Sequence, residues 1–356
     1  VPVLPAKAQA EKFRLGDIPL DDITYFKLLK ARPRTLMDTL LTSYDARDDG
    51  IVTPAKNQGS CGSCWAFASV AAMESHILKY YSMTPEDLSE QQQASCNTQM
   101  YGCSGGSSTA IRYWENKGTI LEFCFPYTAS GATACQEDQC VQGGLRVTDF
   151  HTVERSPSAF KESLYNYGPS YMRYNVYDDF YSFWSSAPPG AVYTSQPGYP
   201  YVGGHAVLII GWDDEKGAFL CKNSWGSGGP NSDGTFWIAY SGHYYDLGFG
   251  MVNFSLTSVA CTQDSDCDDG LYCNGAEYCE NGACRQGAPP VCEDDGQFCN
   301  GSEICDETLR ACVSSGSPCL ETEICDEGSG TCIPVTCGNG TCDEGEDCSI
   351  CPADCV

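Results

Sequence analysis

Residues 57 to 67 read NQGSCGSCWAF, which places Cys61 and Cys64 three positions apart in a loop of small residues. Two thiols this close suit a redox pair, half of a metal site, two separate disulfide halves, or one structural cysteine beside one reactive one. A thiol becomes a nucleophile when a helix N-terminus and a nearby imidazolium stabilise its thiolate, and a third group must hold that ring. The chain has four histidines, His76, His151, His205 and His243. His76 follows Cys64 on the same predicted helix and would point elsewhere. His205 opens GGHAVLIIGW after two glycines, where backbone without side chains leaves room for a substrate. Asn223, in KNSWG, can accept the second ring N–H of His205. Gln58 offers a side-chain amide that, with the backbone N–H of Cys64, could bind the oxyanion of a tetrahedral intermediate.

These residues need elements to hold them. CWAFASVAAMESHILKYY contains neither Pro nor Gly and is mostly small and apolar, which predicts a buried helix with Cys64 at its N-terminus. HAVLIIGW, AFLCKNSWG and TFWIAY are short runs rich in branched and aromatic residues and predict strands. Helices first and strands second suggest an α+β domain with two lobes.

Three regions divide the chain: 1–43, 44–257 and 261–356. The first has mixed charge and helical spacing in DDITYFKLLKARPRTLMDTLL, interrupted by Pro33. The last holds 17 of the 25 cysteines and 21 acidic residues against two basic ones, a net of −19; residues 1–260 carry 26 acidic and 18 basic residues, a net of −8. So many cysteines argue for an oxidising, extracytoplasmic compartment, and so acidic a surface argues against nucleic acid as a partner. No run of about 18 apolar residues is present, so no transmembrane helix is expected. No signal peptide opens the chain at Val1, which fits prior removal.

Gln58, GSCGSCWAF, Cys103-Ser-Gly-Gly, GGHAVLIIGW and KNSWG occur in the order found in papain-like, cathepsin-like cysteine peptidases, which residues 44 to 257 resemble. The resemblance implies a two-lobed fold, with a helical left lobe, a β-barrel right lobe and a cleft between. It implies a peptidase acting on polypeptides without a cofactor, with Cys64 as nucleophile, His205 as base and acid, Asn223 as orienter and Gln58 as oxyanion donor. Trp225 would shield the Asn–His contact and border the leaving-group side. Gly105 and Gly106 would offer backbone pairing to an extended peptide. Cys61 would bridge Cys103, and Cys96 would bridge Cys135. Cys124 and Cys140 lie outside the basic pattern and are expected to pair with each other. Cys221 is expected to be a buried free thiol.

No histidine lies between Cys103 and His151, so an exopeptidase loop that grips a substrate C-terminus is not expected; an endopeptidase is. The pocket for the second residue before the cut is expected to be bordered by Ser107, Ser108 and Ala206, with Met172 or Arg173 across. Small residues there suggest a roomy pocket for an apolar or aromatic side chain. Residues 1–43 are expected to be a pro-region lying along the cleft, which would make this form a zymogen; a permanent belt is the alternative. The contrasting functions are a non-enzymatic extracellular adhesion protein using the cysteine-rich region, or a transpeptidase working through the same thioester.

That cysteine-rich region repeats. YCNGAEYCENGAC, FCNGSEICDETLRAC and a degenerate PCLETEICDEGSGTC begin at Cys273, Cys299 and Cys319, with cysteines at 279, 305 and 325 and then at 284, 312 and 332. Units this short cannot bury a core and must be stapled by disulfides or metal. Asp264, Asp266 and Asp268 alternate as in calcium loops, so structural calcium is an expectation, as is binding of a surface or partner. The sequons at Asn253, Asn300 and Asn339 are not expected to be glycosylated.

Overall fold

The computed structural model describes residues 13–30, 41–81, 87–140, 142–258, 263–268, 272–273, 275–280, 283–285, 288–320 and 323–334. The chain divides into two compact units, Val1–Val259 and Ala260–Val356.

In the first unit, the N-terminal stretch forms α1 (Asp22–Leu28), capped by the Asp21 carboxylate on the Thr24 N–H. Pro33 and the rest of the predicted longer helix lie outside the described residues. Strand β1 (Ser43–Asp45) leads to α2 (Cys64–Tyr81), the helix predicted from its unbroken small and apolar run. Residues Cys64 to Ile77 of α2 are all buried. Helix α3 (Glu90–Cys96) is capped by the Ser89 hydroxyl, which accepts from the Gln92 N–H.

The second half supplies β2 (Leu145–Thr152), α4 (Pro157–Tyr167), β3 (Ser170–Tyr177), α5 (Asp179–Ser186), β4 (Val192–Tyr193), β5 (Tyr201–Asp213), β6 (Ala218–Lys222), β7 (Thr235–Ala239) and β8 (Gly250–Ser258). These strands and β1 form one eight-stranded sheet in the order β2-β8-β3-β5-β6-β7-β4, with β1 on β5. The order is an open path, so these strands form one large sheet where the closed right-lobe barrel is expected. β5 explains why HAVLIIGW reads as continuously apolar: it is covered on both faces. Ala206, Leu208 and Ile210 pack with α2 in one core, and Val207 and Ile209 pack in the other with Phe180, Trp184, Trp212 and Phe236.

The expected bridges Cys61–Cys103, Cys96–Cys135 and Cys124–Cys140 are present, all in the helical lobe. Cys221 is a buried free thiol, as expected. Asn253 is fully buried in β8, which leaves no room for a glycan.

The second unit is a series of two-stranded ribbons: β9 (Tyr278–Glu280) with β10 (Ala283–Arg285), β11 (Glu303–Asp306) with β12 (Ala311–Ser314), and β13 (Glu323–Asp326) with β14 (Thr331–Pro334). Each ribbon is one predicted repeat. Disulfides link 273–305, 292–312, 299–325 and 319–332; in the first and third of these bonds, the first cysteine of one repeat bonds the second cysteine of the next, while Cys319–Cys332 closes the third repeat on itself. The Asp264 carboxylate accepts from the Cys279 N–H. Among the described residues, each group close enough to hold a metal includes two cysteines already bonded to each other, and none includes Asp264 or Asp268. The expected calcium loop therefore has no support from these positions.

Candidate active site

The loop before α2 is fixed from both lobes. The Gln58 N–H donates to the Ser224 carbonyl at 2.9 Å, and Asn57 bridges Trp225. The Ser224 hydroxyl donates to Gln58 Oε1 at 2.6 Å, which aims the Gln58 NH₂ outward. Ser224 was not among the residues singled out in the sequence, although it lies inside KNSWG. Cys61, bridged to Cys103, pins the other side of the loop, so Cys64 starts α2 at a defined place.

His205 Nε2 and Asn223 Oδ1 are 2.8 Å apart and fully buried, while His205 Nδ1 has no hydrogen-bond partner. Trp225 covers this contact, its ring centroid 4.8 Å from that of His205. The Cys64 sulfur accepts from the backbone of Ala206, the neighbour of His205. His76, by contrast, is buried against Phe254 with ring centroids 4.0 Å apart and takes no part in this group.

Residues 13 to 18 run along the cleft. The Phe13 ring stacks on Trp225 at 4.7 Å. The Arg14 carbonyl accepts from Gln58 Nε2 at 2.7 Å. Gly16 lies over Cys64, its backbone bonded to the sulfur, and a Cβ there would strike the Gly62 carbonyl. The Asp17 N–H then donates to the Gly204 carbonyl at 3.1 Å, the Ile18 N–H to the Gly106 carbonyl at 2.7 Å, and the Gly106 N–H to the Gly16 carbonyl at 2.9 Å. Of the two glycines expected to pair with an extended peptide, Gly106 pairs with this segment. Gly105 is spent on its own loop, with its carbonyl taking the Tyr101 N–H. Past the cleft, α1 is tied down by Tyr25, whose hydroxyl donates to the Val153 carbonyl at 2.5 Å.

Under this segment, burial pushes the Cys64 thiol up to about 12, with the Asp17 carboxylate adding to it. Burial also pushes the His205 imidazole down to about 4, against the opposing effect of its bond to Asn223. The pair is thus held as thiol and neutral ring.

Of the residues expected around the neighbouring pocket, Ser108 and Arg173 line it. Ser107 turns to the Thr109 hydroxyl at 2.8 Å, and Ala206 lies beside Cys64. Met172 faces the sheet-lobe core, so Arg173 is the one that looks across the cleft.

A buried charged group behind the site was not read from the sequence. Lys56 Nζ meets Glu74 at 3.0 Å, Glu90 at 2.9 Å and Asp87 at 2.5 Å. Thr53 links it to the sheet: its hydroxyl donates to Glu74 at 2.5 Å, and Lys222 donates to its carbonyl at 2.9 Å. The group joins α2 to β6 across the lobe boundary. Glu74, in the middle of an otherwise apolar helix, was the available signal.

A two-lobed fold with a cysteine at a helix start and a histidine–asparagine pair opposite is the architecture of the papain-like peptidases. The papain family cysteine protease model matches residues 40–246, more than half of the chain, which therefore belongs to that family. The chain is 30% identical over 256 residues to cathepsin B-like cysteine proteinase 3 of Caenorhabditis elegans, a match covering 61% of this chain and 68% of that one. It is 32% identical over 228 residues to a cathepsin L-like proteinase of Fasciola hepatica, covering 62% and 65% respectively. Matches of this kind leave about a third of each relative unspanned. Among solved structures, a digestive procathepsin L2 proteinase from Tenebrio molitor larval midgut aligns with a TM-score of 0.57 and 28% identity, over 71% of this chain and 80% of that one. A procathepsin B from Trypanosoma congolense shares the fold, with a TM-score of 0.60 and 20% identity over 70% and 89%. No described helix is long and apolar enough to cross a membrane.

Proposed function

We propose that this chain is a cysteine endopeptidase of an extracytoplasmic compartment, that it hydrolyses polypeptides through Cys64, His205, Asn223 and Gln58, and that residues 13–30 hold it in a self-inhibited, zymogen-like form. The observation that carries the reading is the 2.8 Å bond from His205 Nε2 to Asn223 with Nδ1 left unpartnered beside the Cys64 strand contact. It leaves one ring nitrogen anchored and the other able to exchange a proton. The disulfide content supports the compartment.

With the segment displaced, water and substrate replace it and the thiol can pass its proton to His205. The thiolate attacks the scissile carbonyl; a C–S bond forms and the carbonyl electron pair moves onto oxygen. Gln58 Nε2, now occupied by the Arg14 carbonyl, and the Cys64 N–H donate to that oxyanion. The intermediate collapses, the C–N bond breaks, and His205 protonates the departing amine. A water then gives its proton to His205, attacks the thioester and releases the acid and the thiol. Side chains and backbone supply every step, so no cofactor is needed.

Inhibition follows from the direction of the segment. It passes Trp225, on the leaving-group side, before Cys64 and only then reaches Gly106, so it runs opposite to a productive substrate. The test is intact mass after a thiol-directed epoxide. The uncut chain should take up little label near neutral pH, and its rate should rise with pH because burial pushes the thiol up to about 12. Cutting after residue 30 should accelerate labelling at pH 7 by about a hundredfold or more, on Cys64 alone. Full peptidase activity in Cys64→Ala would sink the mechanism. Equal labelling before and after cutting would sink the self-inhibited state.

A further inference from the structure

The segment in the cleft also shows what one pocket holds. Asp17 is the residue bridged between Gly204 and Gly106, one position from the residue over Cys64. Its side chain, 1% exposed, enters the pocket beside Gly106. There Tyr171 Oη donates to Oδ1 at 2.5 Å and Arg173 Nε donates to Oδ2 at 2.8 Å.

Two features make this a built site and not a chance ion pair. First, the guanidinium is held independently of Asp17: Nη1 donates to the Gly248 carbonyl at 2.7 Å and Nη2 to Asn175 Oδ1 at 2.9 Å. Those two bonds fix the plane of the guanidinium and aim Nε into the pocket. The Tyr171 hydroxyl is fully buried, and among the described residues its partner is Asp17. Second, the wall contributed by the peptidase body is Ser108, Arg155, Tyr171, Arg173, Gly250 and Val252, with two guanidinium groups and no carboxylate. An apolar side chain seated here would leave two buried donors unmade, which is costly, and a neutral amide would meet them without charge; a carboxylate accepts from both, and Arg173 and Tyr171 oppose the burial that pushes the Asp17 carboxyl up.

The reversed direction of the segment does not change which side chain enters. Turning an extended chain half a revolution about the axis of that side chain reverses its direction but keeps the bridge and the pocket. In a productive substrate the residue bridged to Gly106 is the second before the cleaved bond. We propose that this peptidase selects aspartate or glutamate at that position and that Arg173 and Tyr171 read its carboxylate. This rests on the peptidase reading above, and it replaces the apolar or aromatic preference expected from the small residues at the pocket rim.

The experiment uses the full-length chain carrying an inserted protease site between residues 31 and 40, folded intact and then cut there. Four fluorogenic peptides, identical except for Asp, Glu, Asn or Leu at the second position before the bond, are compared by kcat/KM. Asp and Glu should exceed Asn and Leu by about 10- to 100-fold, the range of a charge-assisted hydrogen bond. Arg173→Met should lower the Asp-to-Leu ratio at least about tenfold. Should that variant not fold, Arg173→Lys keeps the charge without the fork and should lower the ratio less. Cleavage of the Leu or Asn peptide as fast as the Asp peptide overturns the acidic pocket while leaving the peptidase intact. Labelling of Cys64 by iodoacetamide with no cleavage of the Asp peptide also overturns it. Failure of all four peptides together with failure of Cys64 to label overturns the peptidase reading and this proposal with it.

Discussion

Between residues 41 and 258 the chain is held by what it buries. Trp65, Trp114, Trp212, Phe160 and Phe236 are all essentially inaccessible, and three disulfides add to a core that already exists. Beyond residue 263 no described apolar side chain is buried, and Val291, Leu309 and Leu320 stand 84%, 66% and 68% exposed. Those repeats are joined by two devices, the disulfides from each to the next and carboxylates that accept pairs of backbone N–H groups. One unit is a packed solid with a few crosslinks, and the other is a chain of crosslinks with little to pack. A core lets a site be built from residues far apart in sequence. A crosslinked ribbon can be lengthened or lost unit by unit, because each repeat depends on its neighbours alone.

The largest expected effect follows from this difference. Full reduction without denaturant should strip the repeats of all protection from proteolysis, since each lost disulfide costs about 2–5 kcal/mol and no core compensates. The peptidase unit should keep a cooperative thermal transition, at a lower temperature. Repeats that stay protected after complete reduction would refute the comparison. Next in size, Lys56→Met should destabilise the peptidase unit by about 3–5 kcal/mol, because it leaves the buried Glu74 without its cation. Proteolysis of the repeats should not change; denaturant melts of both units decide this.

A smaller effect lies in the same cluster. Burial raises the Glu90 carboxyl from its ordinary 4.5 to about 8, more than Lys56 can offset while shared with Glu74. The folded chain therefore holds that proton more tightly than the unfolded chain does. The contribution of this group to stability is complete below about 4.5 and is lost as pH rises through about 8. Glu90→Gln, which mimics the protonated form, should remove that slope from a pH series of thermal midpoints. An unchanged slope would mean that Glu90 is ionised and fully paired.

What the sequence made legible follows the same division. The residues proposed for catalysis could be named because that chemistry restricts both their type and their order along the chain, and α2 because an uninterrupted small and apolar run has few other fates. The strand order, the Lys56 cluster and the role of Ser224 could not be named, since they depend on which distant segments meet. The choice between Met172 and Arg173 is legible in the alternation of β3. Met172, Tyr174 and Val176 alternate on one face of β3, which puts Arg173 on the other, toward the cleft. What changed the pocket was its occupant, Asp17, which no reading of the rim alone supplies. In the repeats, the period was plain, but the bonding was not. Cysteines repeated at similar spacing do not reveal that Cys273 and Cys299 bond into the next unit while Cys319 bonds within its own.

That crossing gives the most delicate test of the comparison. Glu307, two residues after Cys305, accepts from the Tyr272 and Cys273 N–H groups, both at 2.7 Å, and the Cys273–Cys305 disulfide closes the same junction. Glu327, two residues after Cys325, repeats the arrangement on Phe298 and Cys299 at 2.5 and 2.8 Å, beside Cys299–Cys325. A glutamine has one acceptor oxygen where the carboxylate has two and carries no charge, so each clasp would lose one bond and the charge assistance of the other. Glu307→Gln should cost about 1 kcal/mol and Glu327→Gln somewhat less, because the first junction is partly buried and the second is exposed. Hydrogen exchange of the amides of Cys273 and Cys299 reads each junction separately, with the disulfides intact. Faster exchange confined to the altered junction would mean that carboxylates and disulfides share the task of joining repeats. Exchange unchanged in both variants would mean that the disulfides alone hold the ribbon, and the contrast with the packed unit would then be sharper still.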